Sequence, residues 1–170
     1  MPVPAPPSAD ADRVLFRWPL RVYWEDTDAG GIVFYANYLK FFERARTEWL
    51  RALGVQQQAL REQTGLMFIV SQTAVRHLAP ARLDDLLQIS VAVTELGRAT
   101  LTLEQQAWRD DVLLAEGTVR VACADAASLQ PRRLPATLLE RLRAAVSGSE
   151  VLASPRPACN NRPPGGSPVP

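Results

Sequence analysis

Two acidic residues and two adjacent glycines lie close together near the start of the sequence, and they are the residues best suited to chemistry. Asp26 and Asp28 flank Thr27, and Gly30-Gly31 follow after one alanine. A partly desolvated carboxylate can act as a base or as a nucleophile, and glycine lets the backbone approach a ligand closely. Aspartate and glycine are also the ordinary residues of turns, so the segment is either a catalytic turn or a simple connection.

The residues after this turn predict a long helix whose start would complete an acyl-transfer site. Apolar residues recur at three- and four-residue steps, the period of a helix, at Tyr38, Phe41, Phe42, Ala45, Trp49, Leu50 and Leu53. We predict that Asn37 caps this helix and that Gly54 ends it. The unpaired N–H groups at the helix start are suited to stabilising an oxyanion.

Apolar residues separate the glycines from the predicted helix. Because Ile32 to Tyr35 are all apolar or aromatic, we expect the turn to be tethered to the core and its carboxylates to be partly desolvated. The aromatic residues of this region are either core and subunit interface or, as a group, the lining of a slot for an acyl chain or ring. They are Phe34, Tyr35, Tyr38, Phe41 and Phe42.

Five strand-like runs accompany the helix. They cover residues 16–24, 68–77, 87–96, 100–108 and 112–123, and residues 56–63 and 135–146 predict two further helices. Pro19 in the first run indicates an edge strand, a bulge or a later start of the strand, and Gly97-Arg98 and Asp110-Asp111 are typical of hairpin turns. This order of elements predicts an α+β domain in which the long helix packs on a strongly curved antiparallel sheet.

Composition and charge narrow the class of protein. The 170 residues favour one domain, predicted at residues 14–146 between disordered tails at 1–13 and 147–170. A net charge of +1 gives no overall attraction to nucleic acid or anionic lipid. The sequence has no secretory signal and no apolar run long enough to span a membrane, so the cytoplasm is the expected compartment.

Other kinds of catalytic site have little support in the sequence. The one histidine, His77, lies in a predicted strand without an obvious Ser or Cys partner, so we interpret it as structural. No Cys-x-x-Cys or EF-hand spacing is present, and we expect neither a metal nor another cofactor. Arg82, with Arg132 and Arg133, is a candidate for binding the phosphates of a nucleotide-bearing substrate.

Several motifs resemble those of hotdog-fold acyl-CoA thioesterases of the 4-hydroxybenzoyl-CoA thioesterase type. The acid and glycine turn carries this resemblance when it is joined to Asn37-Tyr38-Leu39 and to Phe42-Glu43-Arg44-Ala45-Arg46. Residues 16–19, 79–85 and 131–135 also resemble the Tol-Pal system-associated acyl-CoA thioesterases, the YbgC family. The resemblance covers about residues 14–145 and implies a hotdog fold, in which a curved antiparallel sheet wraps a long central helix.

The resemblance implies a role for each residue of the turn. Asp28 would be the catalytic carboxylate, as nucleophile or as general base, and the backbone N–H of Tyr35 would polarise the thioester carbonyl. Asp26 would shape the turn. Contact with the substrate would come from Gly30, Gly31, Val33, Phe34 and Tyr38.

The resemblance also implies a substrate and partners. The substrate would be an acyl-CoA with a short-chain or aryl acyl group, or a thioester of acyl carrier protein, and the chain would form homodimers or homotetramers linked to the Tol-Pal system. A non-catalytic module that binds acyl-CoA or acyl carrier protein is an alternative, although such a binder would not need Asp28. A dehydratase-type hotdog protein is a further alternative, and its general base could come only from His77.

Overall fold

One antiparallel sheet and three helices make up the part of the chain that the computed structural model describes, residues 16–148. The strands are β1 (Phe16–Arg21), β2 (Leu66–His77), β3 (Leu86–Leu96), β4 (Thr100–Arg109) and β5 (Val112–Asp125), in the sheet order β1-β3-β4-β5-β2. The helices are α1 (Asn37–Ala52), α2 (Gln57–Thr64) and α3 (Ala136–Val146). This confirms the predicted α+β class. The predicted tails lie outside the described residues, except for residues 147 and 148.

Helix α1 packs against one face of the sheet, which we call the inner face, where it contacts β1, β3 and β4. Phe41, Phe42 and Ala45 are fully buried along this contact. Burying a side chain as large as phenylalanine stabilises the fold by roughly 1.5–3 kcal/mol, so the aromatic stripe anchors the helix to the sheet. The predicted apolar period of α1 is therefore confirmed.

A buried polar clamp sets the position of α1 along the sheet. The Gln105 side chain on β4 is fully buried and donates from Nε2 to the carbonyl of Phe42 at 3.0 Å. Its Oε1 accepts a hydrogen bond of 2.7 Å from Nη1 of Arg46. Because unpaired buried polar groups are costly, this pairing specifies where the helix lies against the strand.

The two ends of α1 differ in how well the sequence predicted them. The helix ends as expected, since Gly54 adopts the left-handed conformation with φ +74° that favours glycine. The prediction that Asn37 is the N-cap is wrong: Ala36 occupies that position, and no side chain caps the helix. Asn37 is instead buried in the first turn and donates from Nδ2 to the carbonyl of Asp26 at 2.9 Å.

The two edges of the sheet are unequal. Strand β1 has six residues, including Pro19, and is shorter than predicted because the chain turns into a short 3-10 helix at Trp24–Asp26. Strand β2 has twelve residues and, among the described residues, pairs only with β5, with a bulge between Val70 and Gln72. Within residues 16–148, none of the helices is long and apolar enough to cross a membrane.

Candidate active site

The acid and glycine segment forms a tight hairpin directly before α1. The N–H of Asp28 donates to the carbonyl of Ile32 at 2.9 Å, and the N–H of Gly31 donates to the carbonyl of Asp28 at 3.0 Å. Thr27 and Val33 form a bridge below the turn. Gly31 adopts φ +72°, a conformation that costs other residues free energy. A glycine is therefore needed at this position to close the turn.

Asp28 presents its carboxylate at the tip of this hairpin. Its Oδ1 accepts a hydrogen bond of 2.8 Å from the N–H of Gly30, which fixes the side chain to its own turn. A Cβ atom on Gly30 would lie 3.0 Å from the same oxygen, so glycine also leaves room for the carboxylate. The expectation that Asp28 is partly desolvated is wrong, because its side chain is exposed in the protomer. The apolar residues that follow the glycines do not cover it.

Asp26 is the buried acid of the pair, with an exposed fraction of 3%. Its Oδ2 accepts a hydrogen bond of 2.8 Å from the N–H of Tyr23. Its carbonyl accepts two more, each 2.9 Å, from the N–H of Phe34 and from the Asn37 side chain. Asp26 therefore connects the 3-10 helix, the hairpin and the first turn of α1 to one another. Its carboxylate is buried and does not face solvent.

Tyr35 lies between the hairpin and α1. Its N–H donates to no protein acceptor within residues 16–148, and neither does that of Ala36, whereas the N–H groups of Phe34 and Asn37 on either side are both paired. The position is close to the helix N-terminus, where the helix dipole is positive and unpaired N–H groups attract negative charge. The arrangement thus combines an exposed carboxylate and a free N–H donor on one short segment.

Two of the residues predicted to contact substrate lie behind the site. Val33 and Tyr38 have exposed fractions of 4% and 3%, so their side chains belong to the core and do not line an open surface. The Tyr38 hydroxyl accepts a hydrogen bond of 3.2 Å from the N–H of Ala81. Burial raises the pKa of Tyr38 above its ordinary value. Phe34, in contrast, is substantially exposed next to Tyr35 and remains available to a ligand.

Sequence reasoning missed the place of His77. It is the last residue of β2, and its exposed imidazole lies on the inner face with its ring centroid 5.2 Å from that of Tyr38 and 6.4 Å from that of Tyr35. The signal available in the sequence was its position directly before the turn at residues 78–85. The strand register, which decides what His77 faces, is not visible in a single sequence.

The structure separates the three arginines that were grouped as phosphate ligands. Arg82 forms a bridge with Ile32 and so lies beside the hairpin. The N–H of Arg132 donates to the carbonyl of Cys123, eight residues along β5 from Ala115, the partner of His77. At about 3.3 Å per residue this separation is roughly 25 Å within one protomer. Of the three, Arg82 remains next to the site.

The loop that carries Arg82 is held rigidly. Oδ2 of Asp85 accepts hydrogen bonds of 2.8 Å from the N–H of Arg82 and from Nη1 of Arg109, and this carboxylate raises the pKa of the Arg109 guanidinium. In the described part of the chain, no group of three or more His, Cys, Asp or Glu side chains is arranged to hold a metal ion. The groups available for chemistry at the hairpin are thus a carboxylate, a backbone N–H, aromatic rings and the neighbouring Arg82.

Comparisons with known proteins place this geometry in context. Residues 22–142 match the family described as the Thioesterase-like superfamily. The acyl-CoA thioesterase YbgC of Haemophilus influenzae is 48% identical over 120 residues, which are 71% of this chain and 88% of the relative. The acyl-CoA thioester hydrolase YbgC of Escherichia coli O6:H1 is 44% identical over 130 residues, which are 76% and 96% of the two chains.

Solved structures agree with the sequence matches. A probable thioesterase from Bartonella henselae superimposes with a TM-score of 0.68 at 34% identity, over 71% of this chain and 99% of that one. The family match includes the whole hairpin and all of α1. The similarity therefore extends over the elements that build the site.

Proposed function

We propose that this chain, which belongs to the Thioesterase-like superfamily and is a thioester hydrolase, cleaves acyl-CoA to a free acid and CoA at the hairpin before α1. The observation that carries the proposal is the pairing of an exposed Asp28 carboxylate with the free N–H of Tyr35 at the start of a long helix. Tyr35 N–H then donates to the thioester oxygen as it gains negative charge, which is the usual role of an oxyanion donor.

Asp28 is the residue that begins the reaction. As a general base it removes a proton from water, the resulting hydroxide adds to the thioester carbonyl, and the tetrahedral intermediate expels the CoA thiolate, which takes up the proton from Asp28. As a nucleophile it adds to the same carbonyl itself, expels the thiolate and leaves a mixed anhydride that water then hydrolyses. Both routes yield one carboxylic acid and one CoA thiol. Exposure of the carboxylate supports either route, because water and substrate reach it freely.

The acyl group that best fits this site is short or aromatic. The packed side chains of Val33 and Tyr38 close the space behind the hairpin, so residues 16–148 of one protomer leave no deep channel for a long chain there. Phe34 and Tyr35 instead offer exposed rings with centroids 4.6 Å apart. Flat rings and short alkyl groups can lie against such a surface.

We propose a homodimer formed through β2, which two such dimers could extend to a tetramer. The β1 edge is short and contains Pro19, features that discourage further pairing. The β2 edge is long, contains no proline and is exposed at residues 71–74. Its side chains on the inner face include Val70, which is also exposed. Light scattering that gives the mass of a single chain at micromolar concentration would contradict this assembly.

Three finer parts of the proposal rest on the resemblance and on related proteins. They are a cytoplasmic location, a link to the Tol-Pal system, and acceptance of acyl carrier protein thioesters besides CoA thioesters. The last can be measured directly by comparing one acyl group on both carriers. Equal rates would extend the substrate class to carrier-bound acyl groups, and absence of turnover on the carrier would confine it to CoA.

The proposed function is tested with a panel of substrates. Purified full-length chain is incubated with acetyl-, hexanoyl-, decanoyl- and benzoyl-CoA, and the released thiol is measured by a colorimetric reagent. We expect turnover, with kcat/KM for decanoyl-CoA at least about tenfold below that of the best short or aromatic substrate. Binding of these esters without thiol release from any of them would contradict the proposal and favour a binding module.

A further inference from the structure

Tyr35, whose N–H is the proposed oxyanion donor, is held in place by few contacts of its own. Backbone hydrogen bonds fix the chain before and after it, since the N–H of Phe34 donates to Asp26 and the N–H of Asn37, two residues on, donates to Phe34. Tyr35 itself makes no such bond through its N–H within residues 16–148, and its side chain is 67% exposed. Its orientation must therefore depend on the few contacts that its ring makes.

Two rings contact Tyr35. One belongs to Phe34, its own neighbour, and moves with the same segment. The other belongs to His77, which meets Tyr35 edge-on with an angle of 77° between the ring planes. Edge-to-face pairs at such centroid distances are attractive. Within the described chain, His77 thus supplies the ring contact that joins Tyr35 to another element of the fold.

His77 is itself held in place from two directions. Its backbone pairs with Ala115 at the end of β2, so the sheet fixes its Cα. Its ring packs on Tyr38, whose buried side chain is fixed by the hydrogen bond from Ala81. The contacts therefore run from the rigid core through Tyr38 and His77 to the exposed ring of Tyr35.

We propose that His77 is a positioning residue for hydrolysis: its ring holds Tyr35 so that the backbone N–H points to the thioester oxygen. This inference rests on the proposed function. His77 acts through Tyr35 and takes no proton in the reaction. Because an oxyanion donor acts more strongly on the transition state than on the bound substrate, loss of its alignment lowers kcat and leaves KM nearly unchanged.

The test compares His77→Ala with His77→Phe in the full-length chain, on the best substrate of the acyl-CoA panel. We expect His77→Ala to lower kcat about 3- to 10-fold with KM within twofold, the size expected from losing one aromatic pair. His77→Phe keeps a ring in the same place and should retain kcat within about twofold of the wild type. Thr137→Ala is the control, since Thr137 is exposed on α3, a helix that contacts β3 and carries neither the proposed site nor the proposed dimer edge.

The outcomes separate this inference from the function on which it rests. An active wild type with an unimpaired His77→Ala variant would overturn the positioning role alone. Equal loss in His77→Ala and His77→Phe would also overturn it, because the nitrogen and not the ring would then be required. A raised KM at constant kcat would assign His77 to substrate contact instead. Absence of turnover by the wild type on every ester would overturn the proposed function, and the inference with it.

Discussion

Gly117 lies where β5 passes close under Phe42 of α1, and we expect its replacement by alanine to destabilise the fold. A Cβ atom at this position of β5 would lie 2.9 Å from the carbonyl oxygen of Ala74 on β2 and 2.9 Å from Cε2 of Phe42. Cγ2 of Val75 would be 3.2 Å away. The carbonyl belongs to a paired strand and the Phe42 ring is fully buried, so neither can move without disturbing its own packing.

Two opposing effects set the size of the change. Overpacking a core by one methyl group costs about 1–3 kcal/mol. Replacing a glycine within a strand by alanine recovers about 0.5–1 kcal/mol of backbone entropy. These two ranges leave a net loss of up to about 2.5 kcal/mol, and the clash with a backbone carbonyl oxygen places Gly117→Ala at roughly 0.5–2 kcal/mol. For a domain of about 130 residues, each kcal/mol corresponds to about 4 °C in Tm, so Tm should fall by roughly 2–8 °C.

The measurement is thermal unfolding followed by circular dichroism, with urea unfolding as a second estimate. Thr118→Ala is the control. The Thr118 side chain is next to Gly117 in the sequence and exposed, so its truncation should change the free energy of unfolding by only a few tenths of a kcal/mol. Adding Phe42→Leu to Gly117→Ala removes the clashing ring atom, so the double variant should lose less than the sum of the two single losses. A Gly117→Ala variant as stable as the wild type would refute the reasoning.

Two further predictions concern the hairpin and the core behind it. Gly30→Ala should lower kcat/KM at least about tenfold by displacing the Asp28 carboxylate while leaving Tm nearly unchanged, whereas Gly31→Ala should cost about 1–2 kcal/mol because of its positive φ. A stability loss in Gly30→Ala with unchanged kcat/KM, together with unchanged stability in Gly31→Ala, would contradict the geometry of the hairpin. Tyr38→Phe should cost about 1 kcal/mol at pH 8 through loss of the bond from Ala81. Because burial raises the pKa of Tyr38, the wild type loses stability above about pH 10, where the unfolded chain releases its phenol proton first. The difference in free energy of unfolding between wild type and Tyr38→Phe, measured with urea, should therefore become smaller above about pH 10. A difference that does not change with pH would contradict this role of Tyr38.

Local patterns in the sequence predicted most of the fold. The apolar period of α1, the glycine at its end and the alternation of the strands are properties of neighbouring residues, and the observed elements agree with them to within about two residues, apart from the end of β1. Of the edge strand, the bulge and the later strand start that Pro19 indicated, the structure shows the edge strand, which a proline tolerates because it has no N–H to donate.

Contacts between distant segments decided what the sequence did not reveal. Asp26 and Asp28 are two residues apart in one turn, and only the pairing of the hairpin and its packing against α1 determine that the first is buried and the second exposed. Asparagine is a residue type that commonly caps helices, yet the Asn37 side chain donates its hydrogen bond to the buried carbonyl of Asp26 instead. His77 faces the two tyrosines because of the register between β2 and β5.

The central claim is that Asp28 performs the hydrolysis, and the most direct test is the kcat/KM of Asp28→Asn on the best acyl-CoA of the panel. The asparagine oxygen can still accept the hydrogen bond from Gly30, so the hairpin should keep its shape and Tm should stay within about 2 °C. Glu140→Gln makes the same exchange of acid for amide at an exposed position on α3 and is the control. We predict a loss of at least about 10²-fold for Asp28→Asn and none for the control. A folded Asp28→Asn variant with activity within about threefold of the wild type would contradict the account.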